Sequence, residues 1–538
     1  MTRRTKLLVG GTAGVLGLVV LFLVEERIRG QLSLASWKRA MAARGEPMEV
    51  AALDPALRIR GARVFLPAQL PALLSLPGRT VSGEPVTPRQ LPPGKEAVLW
   101  GPAGWAGHPN PTHACAVFSL NFAPSRARVP ELRAWLTNAP LVVQLDYAQP
   151  WDLQFPHLTP LKNLSQVLRL ATVMALLEGK PAEALENLLA SRALVDSLLH
   201  EGVLVSQLVR MSLGQVALGD VWQALEADDW TDVQLAALQT AWQEPSFLAG
   251  TVDALRMERA AYLAQHAHGR PTRSELREAL ALVPPFDRDG QDSPLAGSDT
   301  VMNWLGPLQH RGAAFRRFVF AELWRFAWSS QDARFYGRSV QALADAANAA
   351  CTHRDVRAAP ANPKGVNAGI PALAVPAEFE RPNAYNRLRF WFATFSLSAH
   401  ERALQKALAV DGYAELARTA IALKRYRLRH GEWPTNLAAL VPAFAATPPR
   451  DWVDGQPLRY RRNADGGFTL YSVGADGRDD GGDARPPEGE GRSFLQGRDW
   501  VWPQRATDAD VRAAQAGWFG PGNPGSASRV GADVRQAK

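Results

Sequence analysis

The feature that most limits how this chain can be arranged is an uncharged run near its start. Leu7 to Val24 reads LLVGGTAGVLGLVVLFLV, eighteen residues without Asp, Glu, Lys or Arg. As a helix it would rise about 27 Å, just enough to cross the hydrocarbon core of a bilayer. Arg3, Arg4 and Lys6 precede it, and Glu25, Glu26, Arg27 and Arg29 follow it. Basic residues favour the cytoplasmic side, so the expected topology is a single span with the N-terminus inside and the bulk of the chain exported. A cleaved signal peptide would need small residues just past the run, where Val24, Glu25, Glu26 and Arg27 stand, so an uncleaved anchor fits better. Gly10 and Gly14 have the spacing by which two spans can pair, which makes a homodimer through the anchor a further expectation.

A chain of 538 residues predicts several domains, because single cores stop growing near about 250–300 residues. The division expected is a cytoplasmic tip and anchor over 1–30, an irregular, partly β region over 31–158 and a helical-hairpin domain over 159–283. A second helical region with linkers follows over 284–410, then an α+β module over 411–505 and a disordered tail over 506–538. The fold class is mainly α. Net charge is +8, but the arginines are spread and no block of five like charges occurs, so nucleic acid is not an expected partner. Two cysteines, Cys115 and Cys351, exclude a disulfide framework and a four-cysteine zinc site. They leave open one bridge or two unrelated thiols.

Gln31 to Arg44 reads as a short juxtamembrane helix. Beyond it, short apolar runs such as Val64 to Leu66 and Leu141 to Leu145, bounded by Gly and Pro, read as strands and loops. His108, His113 and Cys115 sit together in GHPNPTHAC, but a fourth metal ligand at a recognisable spacing is missing and the prolines suggest a plain loop.

From residue 159 the apolar period becomes 3.6. Leu161, Leu164, Leu168 and Val173 line one helix. Gly179-Lys180-Pro181 ends it and starts the next, with proline in the first turn where its missing N–H costs nothing. A third helix runs Val203 to Leu225, and Asp228 to Thr231 is a capping turn before a fourth, Asp232 to Trp242. Short turns between antiparallel helices make an αα-hairpin array. Further helices are expected over Thr251–Ala267, Arg273–Leu282, Val301–Ser329, Asp332–Thr352 and Asn383–Ala409. The aromatic side chains of the helix at 301–329 (Trp304, Phe315, Phe318, Phe320, Trp324, Phe326 and Trp328) are expected to be core rather than a ligand groove. No nucleophile elbow, HExxH, P-loop or dinucleotide fingerprint occurs. Glu183 and Glu186 lack the His partners of a di-metal bundle.

The most distinctive stretch lies near the C-terminus. Asp411 can cap a helix striped by Tyr413, Leu416, Ala420 and Leu423, which Gly431 ends and Pro434 keeps from resuming. Thr435 or Asn436 caps a short helix to Val441. Two apolar runs, Leu458 with Tyr460 and Phe468 to Val473, flank a Gly-containing loop and read as a β-hairpin. Tyr426, Gly431, Trp433, Pro434 and Thr435 form one motif; Asp451, Trp452, Gly455, Pro457 and Tyr460 a second; Phe468, Leu470, Tyr471, Ser472, Gly474, Ala475, Asp476, Gly477, Gly481 and Gly482 a third. In this order they resemble the C-terminal domain of the major pseudopilin of type II secretion systems, over about seventy residues.

The resemblance implies a calcium-binding last loop. Asp476 is the position that transfers from the family. Asp479, Asp480 and Asp483 are neighbours that could complete the oxygen shell, since Ca²⁺ takes roughly six to eight oxygens. The layout departs from a pilin's: a generic anchor and nearly four hundred residues precede the module, so polymerisation is not expected. The expectation is a bacterial inner-membrane protein, single-pass, with a periplasmic scaffold or interaction body, protein partners in the envelope and a pseudopilin-like module. The alternative is an exported, hydrolase-like enzyme whose site is dispersed over the helical body.

Overall fold

The computed structural model describes residues 3–54, 63–65, 126–137, 141–143, 145–147, 153–243, 246–269, 271–276, 312–358, 384–485, 498–503 and 509. Across them the chain is mainly helical, as expected. His108, His113, Cys115, Trp304, residues 277–282 of the helix expected over Arg273–Leu282, the linkers and the C-terminal tail lie outside the described residues.

Helix α1 (Arg3–Ala43) is unbroken over 41 residues, so the juxtamembrane helix expected from Gln31 is its continuation. Gly30 does not interrupt it because the close approach of Gln331 needs a residue without Cβ there: an added one would lie 2.7 Å from the Gln331 side chain. The helix changes character along its length. Apolar side chains from Val15 to Phe22 point outward in every direction; Leu18 is 68% and Leu21 65% exposed. From Leu23 on, one stripe turns inward. Glu26, Gly30, Leu34, Trp37 and Met41 are buried, at the 3–4 residue spacing of a single helix face. Among the described residues no helix is long and apolar enough to cross a membrane; the side chains of residues 3–10 and of Thr12 lie outside them.

A short turn of helix, α2 (Val50–Leu53), follows. The next elements are β1 (Arg63–Phe65), α3 (Val129–Thr137) and β2 (Leu141–Val143), and β1 pairs with β2 in parallel, Val64 opposite Val142. The hairpin array is α4 (Leu158–Leu177), α5 (Pro181–Asp196), α6 (Leu204–Leu225) and α7 (Asp232–Ala241). Its turns follow the sequence signals. Gly179 takes φ +68°, Lys180 N–H reaches back to the Ala175 carbonyl at 2.8 Å, and Pro181 opens α5. Thr231 and Gln234 form a reciprocal capping box at α7. Arg126 clamps the α4–α5 turn by binding Glu178 and Glu183, and its hydrogen bond holds the Glu178 carboxyl down at about 2.

Helix α8 (Phe247–Ala267) begins four residues before the expected start, because Ser246 caps it. Helix α9 (Gly312–Leu323) passes through a π-helical turn, Trp324–Trp328, straight into α10 (Ser329–His353), where two separate helices were expected. After α11 (Ala384–Arg389), α12 (Trp391–His430) runs for 40 residues. It merges the helix expected to stop at Ala409 with the one expected to start at Asp411. Asp411 therefore caps nothing on its own helix, and no boundary falls at 410.

Helix α12 packs on α6, α7, α8 and α10 and ends at Gly431, whose φ of +80° is a left-handed conformation open to glycine without strain. Asn436 caps a 3₁₀ turn, Leu437–Leu440. A three-stranded antiparallel sheet of β3 (Arg459–Arg462), β4 (Phe468–Ser472) and β5 (Trp500–Val501), in that order, lies against α12. One apolar core runs from Leu34 through α4–α8, α10 and α12 to Trp502. Helical body and C-terminal module thus share a core. A second, aromatic cluster of Phe320, Trp324, Trp328 and Trp391 lies against Leu23 of α1.

Candidate functional site

The four acids proposed for calcium lie on the loop after β4. Asp476 Oδ1 accepts from Arg478 N–H at 3.0 Å. Asp479 Oδ1 accepts from Gly481 N–H and the Tyr471 hydroxyl, both at 3.0 Å, and its other oxygen meets Arg459 at 3.5 Å. Burial works against its charge, but these partners bring Asp479 below the usual carboxylate range. Asp483 is held below that range first by its hydrogen bond with Arg485, 2.8 Å away. Asp480 donates its own N–H to Asp499. The carboxylates of Asp476, Asp479 and Asp483 thus turn to separate N–H donors and arginines. Among the described residues no three of His, Cys, Asp and Glu gather as a metal ligand set. The loop as folded does not fit a calcium shell.

The acid that organises this loop is Asp499. It is fully buried, and its carboxylate accepts from the N–H groups of Gly482 at 2.6 Å, Asp483 at 3.1 Å and Asp480 at 3.4 Å. Burial raises its carboxyl above the usual range. The sequence signal for it is the short segment Asp499 to Pro503, DWVWP, whose apolar residues return as β5 onto the sheet. Asp451 ties the end of β4 in the same way, accepting from Ser472 Oγ at 2.7 Å and Val473 N–H at 2.9 Å.

Helix α12 carries the charged groups that join body and module. Asp411 accepts from Phe247 and Leu248 N–H at the start of α8. Lys424, also buried, donates to the carbonyls of Leu225 and Ala227 at the end of α6, at 2.9 and 3.0 Å. Arg425 binds Asp232 in the first turn of α7 at 2.7 Å. Asp411 and Lys424 each have the sign that the helix end they meet attracts, negative at an N-terminus and positive at a C-terminus, whereas Arg425 answers the Asp232 carboxylate.

The same helix floors a groove. One part, about 380 Å³, is bounded by His353, Arg354, Glu415, Arg418 and Arg450. A second, about 190 Å³, lies beside Arg192, Trp242, Ser246 and Asp411 and shares Arg354, Glu415 and Arg418 with the first. Arg192 stacks over Trp242 at 4.8 Å, and Arg418 pairs with Glu415. Guanidinium groups gathered at one cleft are suited to carboxylate recognition.

Buried polar groups elsewhere in the body serve structure. His400 donates from Nδ1 to the Ser396 carbonyl at 2.7 Å and faces Glu258 at 3.1 Å through Nε2. Burial opposes its charge, yet Glu258 raises it above the usual imidazole range. Glu258 also accepts from Leu204 N–H, so this pair ties α6, α8 and α12. Glu183 and Glu186 pair with Arg126 and Arg133. The chain matches no known protein family, no curated protein and no solved structure.

Proposed function

We propose that this is a membrane-anchored protein of the bacterial inner membrane that acts as a scaffold or interaction protein. Its N-terminus lies in the cytoplasm and its body is exported. The observation that carries this reading is the change in α1 at Leu23. From Val15 to Phe22 apolar residues face outward on all sides of the helix, an arrangement unfavourable in water and suited to lipid. The same helix then enters the body with no linker, through Glu26, Leu34, Trp37 and Met41. The anchor therefore fixes the height and tilt of the body over the bilayer.

Support for a pseudopilin-like module comes from the structural work its motif residues do. Trp433 packs on Phe468 with ring centres 4.8 Å apart, the Tyr460 hydroxyl donates to the Pro434 carbonyl at 2.8 Å, and buried Asp451 joins the loop before β3 to the end of β4. Because α12 belongs to both body and module, the module is presented on the body and is not free to polymerise through its own helix. Envelope partners would meet it and the arginine-lined groove over α12.

The test is fractionation of the full chain made in a bacterium, with a reporter fused at its C-terminus that folds only outside the cytoplasm. The expected result is an active reporter in a membrane fraction that resists alkaline carbonate, and loss of that resistance in a Leu18→Arg, Leu21→Arg variant. An inactive reporter, or wild-type protein released by carbonate, would overturn the reading.

A further inference from the structure

Where α1 leaves its apolar stretch, the body forms a partial collar along one side of it. The aromatic cluster of Phe320, Trp324, Trp328 and Trp391 takes Leu23 against its side, and Phe22 lies 6.3 Å from the Tyr385 ring. Buried Glu26 locks the joint, accepting from the Tyr385 hydroxyl at 2.6 Å and from Gln331 at 3.0 Å. The outer face of this collar is not polar. Phe318, Val319 and Phe326 are exposed, Phe318 by 46%. The π-helical turn that carries Phe326 widens the helix by a residue, and Phe326 lies beside Arg27, whose guanidinium is 4.9 Å from its ring centre.

The charges here are sorted. Glu25 pairs with Arg29 and Glu322 with Arg273. Arg27 and Arg325 instead donate to main-chain carbonyls, of Phe326 and Gly269, each at 3.3 Å. Among the described residues neither has a carboxylate partner. Between them opens a cleft of about 460 Å³, lined also by Gln31, His266, Ser329, Ser330 and Glu322, whose carboxylate is taken by Arg273. That volume lies within the range of small-ligand sites. Burial and Lys38 push His266 down to about 4, so it enters the cleft as a neutral donor and acceptor.

We propose that this collar is a lipid-facing surface. Phe318, Val319 and Phe326 sit in the interfacial layer of the outer leaflet, and Arg27 with Arg325 takes the phosphate of an anionic phospholipid headgroup. The inference rests on the reading of α1 as the anchor. If α1 leaves the bilayer at Val24, Arg27 stands one turn beyond, at headgroup depth. Aromatic residues beside guanidinium groups at that depth are what the interface selects. The continuity of the face with the anchor argues for lipid over a protein occupant.

The test places the full chain in nanodiscs of phosphatidylcholine alone or of an equal mixture with phosphatidylglycerol, and follows backbone hydrogen exchange over residues 312–328. Exchange is expected to slow severalfold in discs relative to detergent, and further in the anionic discs. An Arg27→Gln, Arg325→Gln variant should lose the anionic increment while melting like wild type in detergent. A Phe318→Ser, Phe326→Ser variant should lose protection in both discs. Equal exchange in detergent and both discs overturns the inference while leaving the anchor standing. Protection seen only in discs holding two chains assigns the face to a second copy and overturns it as well. A chain that does not enter discs at all removes the anchor reading and this one with it.

Discussion

Asp411, midway along α12, holds Ser246 at the start of α8: its Oδ2 accepts the Ser246 hydroxyl at 2.6 Å. The same carboxylate accepts from Phe247 N–H at 2.9 Å and Leu248 N–H at 2.8 Å. A helix start leaves its first N–H groups without partners, and here a side chain from another helix supplies them. Asp332, in the first turn of α10, does likewise for α12, accepting from Ala393 N–H at 3.2 Å. Helix ends in this body are completed by the neighbours they pack on.

Replacing Asp411 tests that dependence. Asp411→Ala leaves a buried hydroxyl and two N–H groups without acceptors and should cost about 3 kcal/mol, whereas Asp411→Asn keeps one acceptor and should cost about 1 kcal/mol. Because the interaction joins α8 to α12, both should lower the urea midpoint of the whole body with little change in slope. A loss confined to the module would contradict the shared core.

The next contact along α12 sets how closely the module can approach. A Cβ at Gly412 would lie 2.5 Å from two atoms of the buried Trp500 ring. Gly412→Ala should therefore destabilise by about 1–3 kcal/mol through overpacking, although alanine is the better helix former by about 1 kcal/mol. In a Trp500→Ala background the clash is gone, and the same substitution should become neutral or stabilising. This change of sign, read as a double-mutant cycle by denaturation, is the expected outcome. Additive effects would mean that the two residues do not touch.

These contacts also explain which parts of the fold were legible in the sequence. The α4–α5 turn was readable because Gly179, Lys180 and Pro181 act on their own backbone. The capping of α7 by Thr231 and the β3–β4 hairpin around Asn463 to Gly467 were readable for the same reason. Asp411 and Asp332 were misread as starts of their own helices. A carboxylate that caps another helix looks in sequence like one that caps its own, and only packing decides between them. The candidate site fared similarly. The acids of the last loop stand out as a cluster, but Asp499, which holds that loop, is sixteen residues past Asp483 and is recruited by the return of β5.

The last loop should therefore depend on Asp499 more than on its exposed acids. Asp499→Ala removes the acceptor of three N–H groups and should cost about 2–3 kcal/mol. Asp476→Ala, at an exposed turn, should stay within about 0.5 kcal/mol. With Asp479 and Asp483 already engaged by Arg459 and Arg485, adding calcium or a chelator should leave the melting temperature unchanged. A calcium-dependent rise lost in Asp476→Ala would show that the loop rearranges to bind the ion.

A pH dependence follows from Asp220, on α6. Burial pushes its carboxyl up to about 7, against the attraction of Arg169, which lies 3.4 Å away. In the unfolded chain the group returns to the ordinary value near 3.8. Between these values the native state binds the proton and the unfolded state does not, so this residue's contribution to stability grows as pH falls through about 7 and is complete near 4. His266 acts oppositely. It titrates at about 4 when folded and at 6.5 when unfolded, so it costs stability as pH falls below about 6.5. Wild-type melting alone mixes the two, and the variant separates them. Asp220→Asn carries no charge to bury, so it should exceed wild type in stability at pH 8 by at most about 4 kcal/mol. That advantage should shrink steadily toward pH 5. An advantage independent of pH would mean that Asp220 stays ionised in the folded protein, held by Arg169.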